Sequence, residues 1–161
     1  MKIRTRYHVR KDAVEDIIRQ LRDQNPEYSA LLKKGDRVEA LETDAGRLIM
    51  VNGDILVFQV DGRYFPTVRG ALRLENNRRF VTVDSGAVKF ITRGAHIMRP
   101  GVVDYDPEIK KGDLVVIKEE VHGKPLAVGR ARWDGREFGS KKEGKCVENI
   151  HYVGDEIWQI G

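Results

Sequence analysis

Few residues in this 161-residue chain are spaced for covalent or metal chemistry. His8, His96, His122 and His151 are scattered with no His-x3-His pattern, and a lone Cys146 leaves no Cys-x2-Cys pair, so no metal site is expected. Nothing near Cys146 marks it as a nucleophile, and a buried thiol is the expectation. Asp104 and Asp106 flank Tyr105 and would share one side of an extended segment. With no acid–base partner beside them, both are expected to be solvated. P-loop, dinucleotide and serine-elbow signatures do not occur, so neither a catalytic centre nor a cofactor is expected.

The cations are more informative. Residues 78–101 carry Arg78, Arg79, Lys89, Arg93 and Arg99 against Asp84 alone, a balance of +4 that equals the net charge of the whole chain. Residues 1–77 hold 14 basic and 12 acidic residues, and 102–161 hold 10 and 12, so this short segment is a candidate phosphate-binding surface. Lys89 and Arg93, four apart on a predicted short helix, project from one side, with Arg93 in the last turn where the helix dipole favours a cation. A solvated helix face is the plain alternative. In the following turn, Gly94 to Gly101, small residues allow close approach of another backbone, and Arg99 can hold a phosphate or stack on a base. The same turn is an ordinary Gly and Pro turn otherwise, with Ile97 and Met98 making core contacts. A second basic group, Arg130, Arg132, Arg136, Lys141, Lys142 and Lys145, encloses Trp133 and Phe138, which could stack beside phosphate contacts, but three acids dilute it and a solvated loop anchored by its aromatics is the preferred reading.

The elements that position these residues can be read from periodicity. Ala13, Val14, Ile17, Ile18 and Leu21 share one helical face, which predicts a helix over 12–24 capped by Asp12, with Glu15 completing a capping box and Asn25-Pro26 ending it. From residue 37 the period becomes that of strands, joined at Asp44-Ala45-Gly46, Asn52-Gly53 and Asp61-Gly62, and Pro66 is predicted to put its strand at a sheet edge or to make it end nearby. Leu74 to Arg79 reads as a joint. A second helix of about nine residues follows Asp84 and ends at Gly94. HIMRPGVVDYD, DLVVIKEE, PLAVGRARW and a final EIWQI then read as short strands of a small barrel. The fold class is α+β: an N-terminal helix and antiparallel meander over 1–77, then a barrel-like domain over 78–161.

Apolar residues make up 40% of the chain and charged residues 34%, enough for a real core under a charged surface. The basic amino terminus lacks an apolar signal core, and no apolar run approaches the roughly 20 residues of a bilayer span, so a cytoplasmic protein without a membrane partner is expected.

The run from Val83 to Val102, together with Lys111-Gly112-Asp113-Leu114-Val115-Val116 and Leu126-Ala127-Val128-Gly129-Arg130-Ala131, resembles a PUA domain, an RNA-binding module. Val51-Asn52-Gly53, Tyr64-Phe65-Pro66-Thr67 and Glu148-Asn149-Ile150-His151-Tyr152 extend the likeness to the malignant-T-cell-amplified-sequence family, whose fungal members are translation machinery-associated proteins. The resemblance implies a non-enzymatic RNA-binding protein of the translation apparatus, contacting tRNA or small-subunit rRNA in initiation, reinitiation or ribosome recycling. Its implied partners are the small ribosomal subunit and a density-regulated-like initiation protein. Carried over by position, the implied RNA-binding residues are Lys89, Arg93, Gly94, Ala95, His96, Arg99, Pro100, Gly101 and Trp158. Two other readings stand beside it: an accessory subunit for an RNA-modification enzyme, and an N-terminal domain that docks protein through the sheet edge at Tyr64 to Thr67.

Overall fold

A computed structural model describes residues 1–75 and 78–160. Met1–Glu75 forms one compact unit and residues 78–159 another. Asn76 and Asn77, within the joint predicted from Leu74 to Arg79, lie outside the described residues.

The first unit opens with β1 (Ile3–His8), a strand not anticipated from the basic amino terminus. It runs directly into α1 (Lys11–Gln24), which buries Ile17 and Leu21. Strand pairing persists through Val9, whose N–H donates to the Val38 carbonyl at 2.9 Å, leaving only Arg10 for the change of geometry. The helix therefore starts one residue earlier than predicted: Arg10 is the N-cap without a side-chain bond, Asp12 sits inside the first turn, and the expected capping box does not form. Its end is as read, because Asn25 is extended at φ −159° and its side chain instead accepts from the Glu27 N–H of a 3-10 helix, Pro26–Leu31.

The meander follows as β2 (Val38–Thr43), β3 (Gly46–Val51), β4 (Asp54–Val60) and β5 (Arg63–Pro66), in the antiparallel order β1-β2-β3-β4-β5. Asn52 and Gly53 (φ 50° and 94°), and Asp61 and Gly62 (φ 53° and 74°), take the left-handed geometry that two-residue hairpins require. Pro66 closes the edge strand, but Tyr64, Phe65 and Thr67 beside it are buried. Phe65 packs edge-on against Tyr28, and Thr67 caps α2 (Val68–Ala71), so this edge is core and offers no docking surface.

The second unit contains β6 (Phe80–Val83), α3 (Val88–Ile91), β7 (Ile97–Met98), β8 (Val102–Tyr105), β9 (Leu114–Glu119), β10 (Pro125–Ala131), α4 (Gly135–Ser140), β11 (Lys145–Tyr152) and, as far as Gln159, α5 (Glu156–Ile160). Its six strands form one barrel-like sheet in the order β7-β11-β10-β9-β6-β8, antiparallel except for β6 beside β9. Val81, Ile91, Ile97, Ile117, Phe138 and Val147 are among its core. Three readings are corrected. EIWQI is a helix rather than a strand, because the Asp155 carboxylate caps it by accepting the Trp158 N–H at 2.9 Å. The loop around Phe138 is α4, closed by a capping box between Asp134 and Glu137 and anchored by buried Trp133 and Phe138. Asp106 is buried rather than solvated: β8 ends at Tyr105, and the carboxylate then accepts the N–H groups of Arg79 and Glu108.

Gly129 of β10 determines how β11 approaches. The pairing steps from Val128 opposite His151 to Gly129 opposite Asn149, so Ile150 bulges out of register. A Cβ on Gly129 would lie 2.6 Å from the Glu148 carbonyl oxygen and collide with the Val147 side chain. Gly129→Ala is therefore expected to destabilise the protein by about 1–3 kcal/mol, an overpacking cost, read as a lowered unfolding midpoint in denaturant.

Candidate nucleic-acid interface

The segment from Asp84 to Gly101 is built on a helix too short to be stable alone. Asp84 accepts the Ala87 N–H at 3.0 Å, starting a 3-10 turn (Ser85–Ala87) that continues into α3. The far end closes over Gly94 at φ 97°: the Gly94 N–H donates to the Ile91 carbonyl at 3.0 Å and the Ala95 N–H to that of Phe90 at 3.1 Å. The bulged strand β11 then fixes this corner. Asn149 Nδ2 donates to the carbonyls of Ile91 (3.1 Å) and Ala95 (2.9 Å), while the Asn149 N–H donates to His96 Nδ1 at 3.0 Å. That bond leaves Nε2 to carry the proton of the neutral imidazole. Tyr152 lies against Gly94, where a Cβ would come within 3.3 Å of its hydroxyl.

Beside the corner opens a cleft of about 270 Å³, lined by Ala87, Phe90, Ala95, His96, Met98 and Gly101 over a floor of Val83, Ile91 and Ile97. Phe90 is 55% exposed and Met98 51%. Both escaped the sequence reading: Met98 was expected to contact the core with Ile97, but only Ile97 is buried, since neighbours in a strand point to opposite faces. A pair of unburied apolar side chains at the mouth of a small cleft was the available signal only once exposure was known. Such a cleft can hold a planar apolar face with polar edges, as a nucleobase has.

Of the residues implied by the resemblance, Ala95, His96 and Gly101 line this cleft, and Gly94 forms its corner. Lys89 is exposed with its ammonium 5.2 Å from the Phe90 ring centroid. Arg93 is exposed in the turn beyond α3, past the helix end rather than in its last turn. Neither forms an ion pair among the described residues. Pro100 is exposed in the 3-10 turn Arg99–Gly101. Arg99 serves the fold: Nε donates to the Phe138 carbonyl (2.9 Å), Nη1 to that of Val102 (3.1 Å), and its guanidinium lies over Tyr105. Trp158, in α5, does not line the cleft. Arg79 pairs with Asp113 at 3.4 Å and Arg78 is exposed ahead of β6, so the cations of the segment nearest the cleft in sequence are Lys89 and Arg93, neither of which lines it. Glu120 accepts the Ser85 N–H at 3.2 Å, at the opposite end of the short helix from Arg93. The second basic group is partly neutralised, Arg130 by Glu148 and Lys141 by Glu137, each at 2.7 Å.

The PUA domain family model matches residues 79–153, which include the whole cleft. Over 160 residues the chain is 37% identical to an uncharacterized protein of Methanocaldococcus jannaschii, covering 99% of both. It is 31% identical to translation machinery-associated protein 20 of Saccharomyces cerevisiae, covering 81% of this chain and 76% of that one. The chain belongs to this family of PUA-domain proteins. A crystal structure of a hypothetical protein from Pyrococcus horikoshii, 36% identical, superposes with a TM-score of 0.85 over 97% of this chain and 99% of the other. The fold is thus shared along nearly the whole length.

Among the described residues no group of three or more His, Cys, Asp or Glu converges, and no helix is long and apolar enough to cross a membrane. Cys146 is fully buried with its thiol donating to the Ile97 carbonyl at 3.3 Å, and burial pushes its pKa up to about 12. Native protein is therefore expected to resist iodoacetamide at pH 8 and to react once unfolded, as mass spectrometry would show. Because the folded value is raised, the thiol's contribution to stability is complete below its ordinary value of about 8.5 and is lost as pH climbs toward 12.

Asn149→Ala removes the clamp, taking the side-chain donor from the Ala95 carbonyl and leaving the Ile91 carbonyl only its bond from the Gly94 N–H. A loss of about 1–3 kcal/mol is expected, measured by denaturant unfolding.

Proposed function

We propose that this protein binds RNA at the Gly94 corner and acts, without catalysis of its own, in the translation apparatus of the cytoplasm. The observation that carries this reading is a cleft inside the matched PUA residues whose mouth is apolar and exposed, with the Lys89 ammonium 5.2 Å from the Phe90 ring at that mouth and Arg93 exposed in the turn after the same short helix. An unstacked base enters the cleft against Phe90 and Met98, with the His96 Nε2–H as an edge donor, while Lys89 and Arg93 hold flanking phosphates. A single-stranded end or loop suits this geometry, because a base held in a helix cannot leave its stack without cost. The name of the yeast relative, translation machinery-associated protein 20, supports a role in translation, and the target we propose within it is tRNA or small-subunit rRNA, in initiation, reinitiation or recycling on the small ribosomal subunit, with a density-regulated-like protein as a partner.

Salt dependence of affinity tests the site. Each phosphate engaged by single-stranded RNA contributes about 0.7 to the logarithmic slope, so Lys89→Ala with Arg93→Ala should lower it by up to about 1.4. Phe90→Ala should weaken binding by about 1–3 kcal/mol if a base stacks there. An unchanged slope in the double variant refutes the site. Crosslinking and sequencing of the bound RNA identifies the target, and stable co-purification with an RNA-modification enzyme in place of ribosomal subunits would favour an accessory-subunit role.

A further inference from the structure

The first unit carries a concentration of positive charge that averaging over half the chain conceals. Residues 1–11 contain Lys2, Arg4, Arg6, Arg10 and Lys11 and no acid, whereas residues 12–77 hold nine basic against twelve acidic residues. The two cancel in any sum over the half, but not in space, because residues 3–8 form β1. This strand is at one end of its sheet, so one backbone edge is unpaired, and all six of its residues are exposed. Ile3 and Tyr7 are 47% and 44% exposed. Arg6 is neutralised by Glu39, at 2.7 and 3.2 Å, and Arg37 shares that carboxylate at 3.6 Å. Lys2, Arg4 and Lys11 make no ion pair among the described residues, and Arg10 reaches only Asp12, at 3.7 Å with both side chains solvent-exposed. A cleft of about 310 Å³ opens beside the strand, with Tyr7, Arg10, Ala13 and Tyr64 among its lining and no acid in it.

We infer that β1 and its flanks form a second RNA-binding surface, on which Lys2, Arg4, Arg10 and Lys11 follow the phosphates of a ribonucleotide chain. Cations on an edge strand can simply deter strand-to-strand association. Lys2, Arg4 and Lys11, without an ion pair among the described residues, and a loosely paired Arg10 exceed that need, even though Glu39, Glu42 and Asp44, on and just after β2, bond to Arg6, the Tyr7 hydroxyl and the Lys2 N–H and offset part of the positive field. Arg4 and Arg10 are about 20 Å apart at roughly 3.3 Å per strand residue, long enough to meet several successive phosphates. Their guanidinium groups match phosphate oxygens in pairs, and the acid-free cleft focuses the field beside them. An acidic protein strand adding to the free edge would find no regular backbone partner beyond six residues, whereas a phosphate chain needs only the charges.

The surface is independent of the Gly94 cleft, and the test separates the two. In the full-length protein, Arg4→Ala with Arg10→Ala should lower the salt slope for polyuridylate by up to about 1.4, and Arg4→Lys with Arg10→Lys should restore it. Among the described residues neither side chain holds a hydrogen bond, and the Arg10–Asp12 contact at 3.7 Å is solvent-exposed, so the unfolding midpoint should stay near the parent value. A lowered slope in this variant supports the proposal even if the Lys89 and Arg93 variant binds as the parent does, a result that would reject the Gly94 site alone. An unchanged slope overturns the proposal. If that result comes with self-association of the variant, the arginines only guard an open strand edge. No detectable binding of the parent protein to polyuridylate or to unfractionated tRNA overturns both sites.

Discussion

The candidate interface depends on the amide of Asn149. A four-residue helix has too few internal bonds to pay for its own nucleation, and a left-handed residue at its end gains nothing unless something holds the carbonyls it exposes. Asn149 holds two of them and, through its backbone, orients His96. It reaches them because β11 bulges at Ile150, and β11 can bulge there because Gly129 leaves space for its backbone. A glycine in one strand, an irregularity in the next and a turn far away in sequence are thus parts of one device. Its product is a corner with fixed amides, a fixed imidazole tautomer and a shallow apolar opening.

Charge is distributed on the same principle of what is already committed. Arg79, Arg99, Arg6 and Arg47 are occupied by carboxylates, carbonyls or a tyrosine hydroxyl inside the fold. Arg47 shows the extent of this commitment: the Tyr64 hydroxyl and the Glu42 carboxylate raise its pKa above the ordinary arginine value. Such cations are fasteners. Lys89, Arg93, Arg4 and Lys11 have no such partners among the described residues and remain able to exchange counterions for phosphates, which is the source of salt-dependent RNA affinity. Each compact unit presents some of these free cations, next to an opening lined largely by apolar atoms.

Much of the architecture was legible in residue order because its signals are local. Asn52-Gly53 and Asp61-Gly62 require left-handed backbone wherever they occur, Asn25-Pro26 cannot continue a helix, and Asp84 and Gly94 mark the two ends of the short helix. The misreadings arose where a neighbour distant in sequence changed a local preference. Pairing of Val9 with Val38 displaced the N-cap from Asp12, the Asp155 cap turned EIWQI from strand to helix, and the end of β8 turned Asp106 inward. The basic amino terminus became a strand because β2 was there to receive it, Tyr7 lying opposite Ala40 and its hydroxyl donating to Glu42.

The amino-acid sequence by itself determined the class of fold, the family, and the stretch of chain in which the candidate site lies, since hydrophobic period, turn residues and motif spacing are properties of neighbours along the chain. Only the tertiary structure decided which members of that stretch face a ligand. Arg99 and Arg93 carry the same charge six residues apart, yet one is hydrogen-bonded to carbonyls of Phe138 and Val102 and the other is exposed. Phe90 and Met98 have the composition of a core and stand at the mouth of the cleft instead. Burial and pairing depend on what folds back against a residue, and that is set by contacts between segments that the linear order does not contain.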